Sequence, residues 1–237
     1  MSSQIEKALR QIQETADILS SRGWAEATAG NMSVRLETEV PIQGSGNYIL
    51  NSKYPTLAGS SVLITSSGSR MRHIASKNPE DHCVLISISP DGSSYTRHGA
   101  NGSPSSELEM HLLIHDHFAK NSKEINSVIH AHPDAVIALM HLNRFKTADD
   151  VSKLLFEMHT EAELLIPEGV GLTGVKKPGS SELAQAVLEQ MKTHSIVFME
   201  KHGCISSGIS LDDALDKIEF VNKAAEIYFR LNNSEKK

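Results

Sequence analysis

Cysteine is scarce in this chain, where Cys83 and Cys204 are the only two among 237 residues. A chain of this length can bury a sizeable hydrophobic core, so it does not depend on a single disulfide for its stability. Because disulfides are rare in the cytosol, two cysteines in a chain of this size favour reduced thiols and a cytoplasmic location. Residues 1–10 also contain no apolar segment typical of a secretory signal, so we do not expect a secretory signal there.

The sequence also lacks a long apolar run and an excess of positive charge. No apolar run approaches the roughly 20 residues that a membrane-spanning helix needs. The 23 lysines and arginines are outnumbered by 29 aspartates and glutamates, which gives a net charge of −6. Such a chain repels nucleic acid and anionic membranes, so any phosphate-bearing partner must be held by local donors. Neither a GxGxxG fingerprint nor a Walker lysine loop occurs, and a nucleotide cofactor is not predicted.

Five segments have the spacing or the boundary residues of helices. The first carries Ile5, Leu9, Ile12, Ala16 and Leu19 on one face and ends before Gly23. We predict the others at about 107–119, from Pro133 to near His141, at 181–193 and at 211–231. Residues 70–73 are interpreted as a solvated loop, and the only tryptophan, Trp24, as a core residue.

Short runs of β-forming residues lie between these helices. We predict strands at 62–64, 83–88, 127–130, 161–166 and 195–199, with a hairpin at Pro90-Asp91-Gly92. Residues 37–61 are rich in glycine, serine and proline, and we predict a loop there with a short strand. Residues 168–179 are predicted to form a glycine-rich loop. Irregular alternation with one hairpin favours an α/β sandwich with a mixed sheet, in one domain covering residues 1–237.

Histidine is unusually frequent, with twelve residues. His130 and His132 lie at i and i+2 at the end of a predicted strand, so both side chains point to the same side. Pro133 then ends the strand. His202 follows another apolar strand and precedes Gly203, which allows a tight turn. Three imidazoles at strand ends can hold a metal ion such as zinc, which also needs an open position in a catalytic site. A chance HxH in a histidine-rich chain is the alternative.

The segment Pro104-Ser105-Ser106-Glu107 opens the predicted helix at 107–119. Serine caps and an early carboxylate are ordinary features of a helix N-terminus. The same amides and hydroxyls can also hold an anion, which would leave Glu107 for acid–base work. Glu107, His111 and His115 share one face at i, i+4 and i+8, and form a competing metal site. We favour packing or supporting roles for the two histidines.

Two turns of small residues, at 28–31 and 65–68, offer backbone amides and short polar side chains, as anion-binding nests do. Each pattern is weak alone. Glu161 and Glu163 alternate along the predicted strand at 161–166, where surface charge is the simplest explanation. No lysine has an evidently desolvated position, so a Schiff-base mechanism is not predicted.

In their order along the chain, the segments AGNMS, ITSSG, PSSELEMH, VIHAHP and the late HG resemble the class II aldolase/adducin family of sugar-phosphate aldolases and epimerases. The resemblance covers roughly residues 5 to 230. Within that family, HTEAELLIPEGVGLTGVKKPGSSELAQA and HSIVFMEKHGCISSG most resemble the rhamnulose-1-phosphate type. Thr28 departs from that type, because those members carry asparagine there and Thr-Ala-Gly-Asn is closer to the fuculose type.

The resemblance implies a fold and a set of site residues. The fold is an α/β/α layered sandwich with a mixed, largely antiparallel sheet, in a homotetramer with active sites between subunits. Glu107 matches the catalytic carboxylate, and Glu161 matches an acidic residue contributed across a subunit boundary. The metal ligands would be His130, His132 and His202, which hold one divalent ion, zinc by analogy. The phosphate-binding positions would be Asn31, Ser67, Gly68, Ser105 and Ser106.

The implied reaction is reversible retro-aldol cleavage of L-rhamnulose 1-phosphate, or a related ketose 1-phosphate, to dihydroxyacetone phosphate and L-lactaldehyde. Glu107 would move the proton on the dihydroxyacetone carbon, with a pKa raised by burial when the substrate closes the site. Within the family, the same ligands also serve an L-fuculose-phosphate aldolase, a ribulose-phosphate 4-epimerase or a methylthioribulose-phosphate dehydratase. From another class, adducin-like relatives use the fold as a non-catalytic structural module. We expect neither a nucleic-acid partner nor a membrane partner.

Overall fold

The computed structural model describes residues 3–36, 44–98, 102–142 and 145–234. Within them, nine strands form one sheet in the order β2-β5-β4-β3-β1-β6-β9-β8-β7. The strands are β1 (Asn31–Leu36), β2 (Ser45–Ile49), β3 (Ser61–Thr65), β4 (Cys83–Ile88), β5 (Ser94–His98), β6 (Ser127–Ala131), β7 (Gly171–Thr173), β8 (Ile196–Met199) and β9 (Gly203–Gly208). All neighbouring strands are antiparallel except β7 and β8, which are parallel.

Helices cover both faces of this sheet. They are α1 (Ser3–Ser21), α2 (Met71–Ser76), α3 (Leu108–Asn121), α4 (Asp134–Met140), α5 (Ala148–Met158), α6 (Thr160–Leu165), α7 (Ser181–Met191) and α8 (Leu211–Ser234). Two short 3-10 helices lie at Pro55–Leu57 and Pro79–His82. None of the helices in the described ranges has both the length and the apolar character needed to cross a bilayer.

The two faces of β1 belong to different layers, because successive side chains of a strand point in opposite directions. Met32 and Val34 pack in the core that contains α1, α2, α4, α5 and α8, and Trp24 lies in the same core. On the opposite face of the sheet, α3 and α7 pack against β6, β8 and β9, and α3 also packs against β3 and β4. The predicted α/β/α sandwich with a mixed, largely antiparallel sheet is therefore confirmed.

The five predicted helices are found, with boundaries that differ by a few residues. The hairpin around Asp91 is also confirmed, because β4 and β5 pair across it. The short strand expected within residues 37–61 is β2, while residues 37–43 of that segment lie outside the described residues. The glycine-rich loop predicted at 168–179 contains β7, and β9 was not predicted because its serines and glycines resemble a loop.

The strand predicted at 161–166 is wrong, because these residues form most of α6. Its alternating Glu161 and Glu163 resemble a half-buried strand, but glutamate, alanine and leucine are all good helix formers. Both glutamates lie in the first turn, where the helix dipole favours negative charge. The solvated loop predicted at 70–73 is also wrong: α2 begins at Met71, just after Arg70, and buries Met71 and Ile74 against α1.

We predict that Ile12→Ala lowers the free energy of unfolding by about 2–5 kcal/mol, because it opens a cavity in the core around α1. Ile12 is fully buried there. The measurement is urea denaturation of the metal-free protein. Ile209→Ala is the matched control, since this side chain is 59% exposed, and its effect should stay below about 0.5 kcal/mol. Equal effects of the two substitutions would contradict this assignment of the core.

Candidate metal centre

Three histidines meet at one end of the central strands. His130 is in β6 and His132 is the first residue after this strand, while His202 lies in the turn between β8 and β9. Because β6 pairs with β9, this turn lies beside the end of β6. The ring centroids of the three histidines are 4.7–5.1 Å apart. One nitrogen from each ring lies within 4.8 Å of the other two.

Hydrogen bonds fix which nitrogen of His130 and of His132 faces the centre. His130 Nδ1 lies 2.9 Å from the Cys204 carbonyl, and His132 Nδ1 lies 3.0 Å from Glu26 Oε1. Both partners only accept, so both Nδ1 atoms donate. Burial lowers the pKa of His130 to about 4, so its ring is neutral near pH 7. In the neutral form, Nε2 of each ring therefore carries a lone pair.

This arrangement fits a bound cation. The two Nε2 atoms are 3.0 Å apart, and their lone pairs would repel one another without an ion between them. Two nitrogens bound to one zinc ion at about 2.0–2.1 Å in tetrahedral geometry are separated by about 3.3 Å. Two further polar atoms of the site, Glu107 Oε1 and His202 Nδ1, are buried without a hydrogen-bond partner among the described residues.

Glu107 is the buried carboxylate of the site and occupies the N-cap position of α3, where its side chain makes no capping hydrogen bond. Its Oε2 lies 3.4 Å from His130 Nε2, and its Oε1 lies 3.9 Å from His202 Nε2. Asn31 Nδ2 donates a hydrogen bond of 2.9 Å to Oε2. Burial acts to raise the pKa of Glu107, but His130 and this hydrogen bond outweigh it and lower the pKa below its ordinary value. The carboxylate of the free protein is therefore ionised at neutral pH, and the rise expected when the substrate closes the site stays a prediction.

A cavity of about 280 Å³ adjoins the histidines and Glu107. It is lined by all five residues predicted to bind phosphate: Asn31, Ser67, Gly68, Ser105 and Ser106. Gly68 has a φ of +76° and open space where a side chain would stand. The backbone amides of Ser67 and Ser105 donate to the carbonyls of Ser103 and Thr65, so these two serines have only their hydroxyls to offer an anion. The phosphate role of this set stays a prediction.

The competing metal site on α3 does not form. His111 and His115 direct ring nitrogens at the hydroxyl of Ser33, and His111 also contacts Asn31 Oδ1. Within the described ranges, His130, His132 and His202 are the one group of three or more potential ligands close enough to share an ion. His111 and His115 lie behind Asn31 and Glu107, which agrees with the packing or supporting roles predicted for them.

Glu161 stands apart from the other predicted site residues. It is exposed on α6 and does not line the cavity. The expected absence of a desolvated lysine is wrong, because Lys217 on α8 is only 7% exposed. Its amine is 2.8 Å from Asp213 and donates to the carbonyls of Ser207 and Asp213. The Lys217 amine is therefore held by these contacts, and Lys217 does not line the cavity.

Sequence reasoning missed two residues that support the site. Glu26 orients His132 across 106 positions of sequence, and Ser33 joins His111 to His115. No motif marks Glu26, because a glutamate before a turn is ordinary surface chemistry. Ser33 could have been found from the sequence, since it lies at i+2 from Asn31 and therefore on the same face of β1.

Comparison with known proteins decides the family. Residues 10–229 match the family described as Class II Aldolase and Adducin N-terminal domain. The chain belongs to the class II aldolase and adducin family. It is 34% identical to a rhamnulose-1-phosphate aldolase of Yersinia pseudotuberculosis, over 93% of this chain and 83% of that protein.

Solved structures of the family have the same fold. A sugar-phosphate aldolase from Thermotoga maritima superposes with a TM-score of 0.87 at 31% identity, covering 98% of this chain and 97% of that one. An L-fuculose-1-phosphate aldolase from Thermus thermophilus superposes with a TM-score of 0.65 at 21% identity, over 97% of both chains. The second likeness bears on the fold alone.

We predict that Gly203→Ala weakens zinc binding by about 10- to 100-fold, the usual cost of disturbing the support of a metal ligand. A Cβ at Gly203 would collide with the Ala131 carbonyl oxygen and lie 2.9 Å from His132 Cδ2. Competition with a chromogenic chelator measures the zinc affinity. Gly174→Ala is the matched control, because nothing lies within 4 Å of its Cβ position. Equal zinc affinities of the two variants would show that the Gly203 turn does not position His132.

Proposed function

We propose that this protein is a metal-dependent aldolase that reversibly cleaves L-rhamnulose 1-phosphate, or a closely related ketose 1-phosphate, to dihydroxyacetone phosphate and L-lactaldehyde. The convergence of His130, His132 and His202 beside the Glu107 carboxylate carries this proposal. The family membership and the similarity to a rhamnulose-1-phosphate aldolase support it. One domain over residues 1–237 and a cytoplasmic location belong to the same proposal, supported by the one sheet and the two free cysteines.

Three imidazoles would hold the divalent ion, which we propose is zinc because three nitrogen ligands and an open position are typical of catalytic zinc. When bound, such an ion supplies Lewis-acid stabilisation of the negative charge that develops on the ketose oxygens. Glu26 and the Cys204 carbonyl keep His132 and His130 in the tautomer that leaves Nε2 available. These two ligands are therefore oriented before any ion binds.

Glu107 would carry the proton transfer at the dihydroxyacetone carbon. In the cleavage direction the carbon–carbon bond breaks, its electron pair stays with the dihydroxyacetone fragment, and Glu107, which must first take up a proton from water, delivers it to that carbon. In condensation the ionised carboxylate removes the same proton. The lowered pKa of Glu107 in the free protein suits this second role.

Phosphate recognition would come from the cavity next to the histidines. The hydroxyls of Ser67, Ser105 and Ser106, the turn at Gly68 and the second N–H of Asn31 are the donors we assign to the substrate phosphate. They would hold the reacting carbons near Glu107, which is an effect of orientation. Because the net charge is −6, such local donors are the means by which this chain can hold an anion.

We further propose that the protein is a homotetramer with active sites between subunits, and that Glu161 serves a neighbouring site. Its exposure on α6, away from the cavity of its own chain, supports this arrangement. There it would accept the proton of the hydroxyl that becomes the aldehyde oxygen.

The first test is a panel of ketose 1-phosphates assayed for triose phosphate with a coupled dehydrogenase. We expect release from L-rhamnulose 1-phosphate, its loss after chelation, and its return when zinc is added. Borohydride with substrate should trap no adduct. If L-fuculose 1-phosphate is cleaved faster than L-rhamnulose 1-phosphate, the protein is an L-fuculose-phosphate aldolase instead. Turnover without triose phosphate would favour an epimerase or a dehydratase, and a metal-free, inactive protein would favour a structural module.

The substitution Glu107→Gln keeps the shape of the side chain and removes its ability to accept and donate the proton. We expect kcat to fall by about 10²- to 10⁴-fold, the usual contribution of general acid–base catalysis, while elemental analysis shows unchanged metal content. Glu189→Gln on the exposed side of α7 is the control and should keep full turnover. Near-normal turnover of Glu107→Gln would remove its proton-transfer role.

A further inference from the structure

A continuous row of hydrogen-bonded side chains leads from Glu107 into the layer between β1 and α3. Asn31 links Glu107 to His111, with Asn31 Oδ1 2.5 Å from His111 Nε2. Ser33 Oγ then lies 2.7 Å from His111 Nδ1 and 2.8 Å from His115 Nε2. Ser33 and His111 are fully buried and His115 is 1% exposed. Solvent therefore does not compete for these hydrogen bonds.

The row follows from the periods of one strand and one helix. Asn31 and Ser33 are two residues apart in β1 and share a face. Glu107, His111 and His115 are four residues apart and form one stripe along the start of α3. The stripe of α3 packs on that face of β1, so the two sets of side chains alternate in the row.

The hydrogen bonds of the row have one direction. Burial lowers the pKa of His111 to about 4 and the pKa of His115 well below its ordinary value, so both rings are neutral near pH 7. A neutral imidazole has one donor nitrogen and one acceptor nitrogen. Because the Glu107 carboxylate only accepts, Asn31 presents its NH₂ group to it and its carbonyl oxygen to His111.

The remaining members follow from that first step. His111 Nε2 donates to Asn31, so its Nδ1 accepts from the Ser33 hydroxyl. The Ser33 oxygen in turn accepts from His115 Nε2. Every donor thus points toward Glu107, and reversing one member would set two donors or two acceptors against each other.

We propose that Ser33, His111 and His115 are positioning residues that fix the orientation of the Asn31 amide and, through it, the Glu107 carboxylate. This inference rests on the proposed aldolase function, in which Glu107 moves the proton. Without the Ser33 hydroxyl, His111 Nδ1 loses its donor and His115 Nε2 loses its acceptor, so neither ring is held in place. His111 then no longer holds the Asn31 amide beside Glu107, and the carboxylate moves away.

The test compares Ser33→Ala with Ser61→Ala. Ser61 is a matched control, because it is 1% exposed in β3 of the same sheet and its hydroxyl lies 2.8 Å from that of Ser87, outside the row. In the zinc-loaded enzyme, we expect Ser33→Ala to lower kcat by about 10- to 100-fold, with unchanged zinc content. KM should rise less than kcat falls, because the other phosphate-binding positions are untouched. Ser61→Ala should keep the kcat of the unaltered enzyme.

A second readout does not depend on activity. In a crystal structure of zinc-loaded Ser33→Ala, Asn31 Nδ2 should lie beyond about 3.5 Å from Glu107 Oε2, outside hydrogen-bond range. A carboxylate that stays in place overturns the proposal, whatever the activity of the variant. An unaltered protein that cleaves no ketose 1-phosphate removes the aldolase function, while a displaced Glu107 in the variant still supports positioning. Ser33→Cys, nearly isosteric with a weak donor, serves the same comparison should the alanine variant not fold.

Discussion

The site depends on the repulsion between two imidazole lone pairs. His130 and His132 each use Nδ1 to donate to an oxygen acceptor, so their Nε2 lone pairs face each other 3.0 Å apart. When both rings are in the neutral form, neither Nε2 carries a proton for a hydrogen bond between them. A cation satisfies both at once, and His202 supplies a third nitrogen beside the Glu107 carboxylate.

The antiparallel centre of the sheet brings these groups together. β6 lies between β1 and β9, so Asn31 pairs with His130 while His202 comes from the turn leading into β9. Each group thus comes from an element held on both sides by backbone hydrogen bonds or by a packed helix. Glu107 reaches the same place from the layer that contains α3, as the N-cap residue of that helix.

Much of this arrangement is predictable from the sequence, because it depends on local periods. The two-residue spacing of His130 and His132 places both on one side of a strand end, and serines before Glu107 mark a helix N-terminus. What was missed depends on tertiary contacts. Glu26 contacts His132 only because the segment before β1 folds beside β6. The alternation around Glu161 resembles a strand, but these residues form a helix. The direction of the row from His115 to Glu107 follows from burial, which no single motif reveals.

The most direct test of the central claim is anomalous diffraction at the zinc edge from crystals of the zinc-loaded protein. We expect one zinc peak per chain, about 2.0–2.1 Å from a nitrogen of each of His130, His132 and His202. A peak bound elsewhere, or none at saturating zinc, would contradict the account at its foundation.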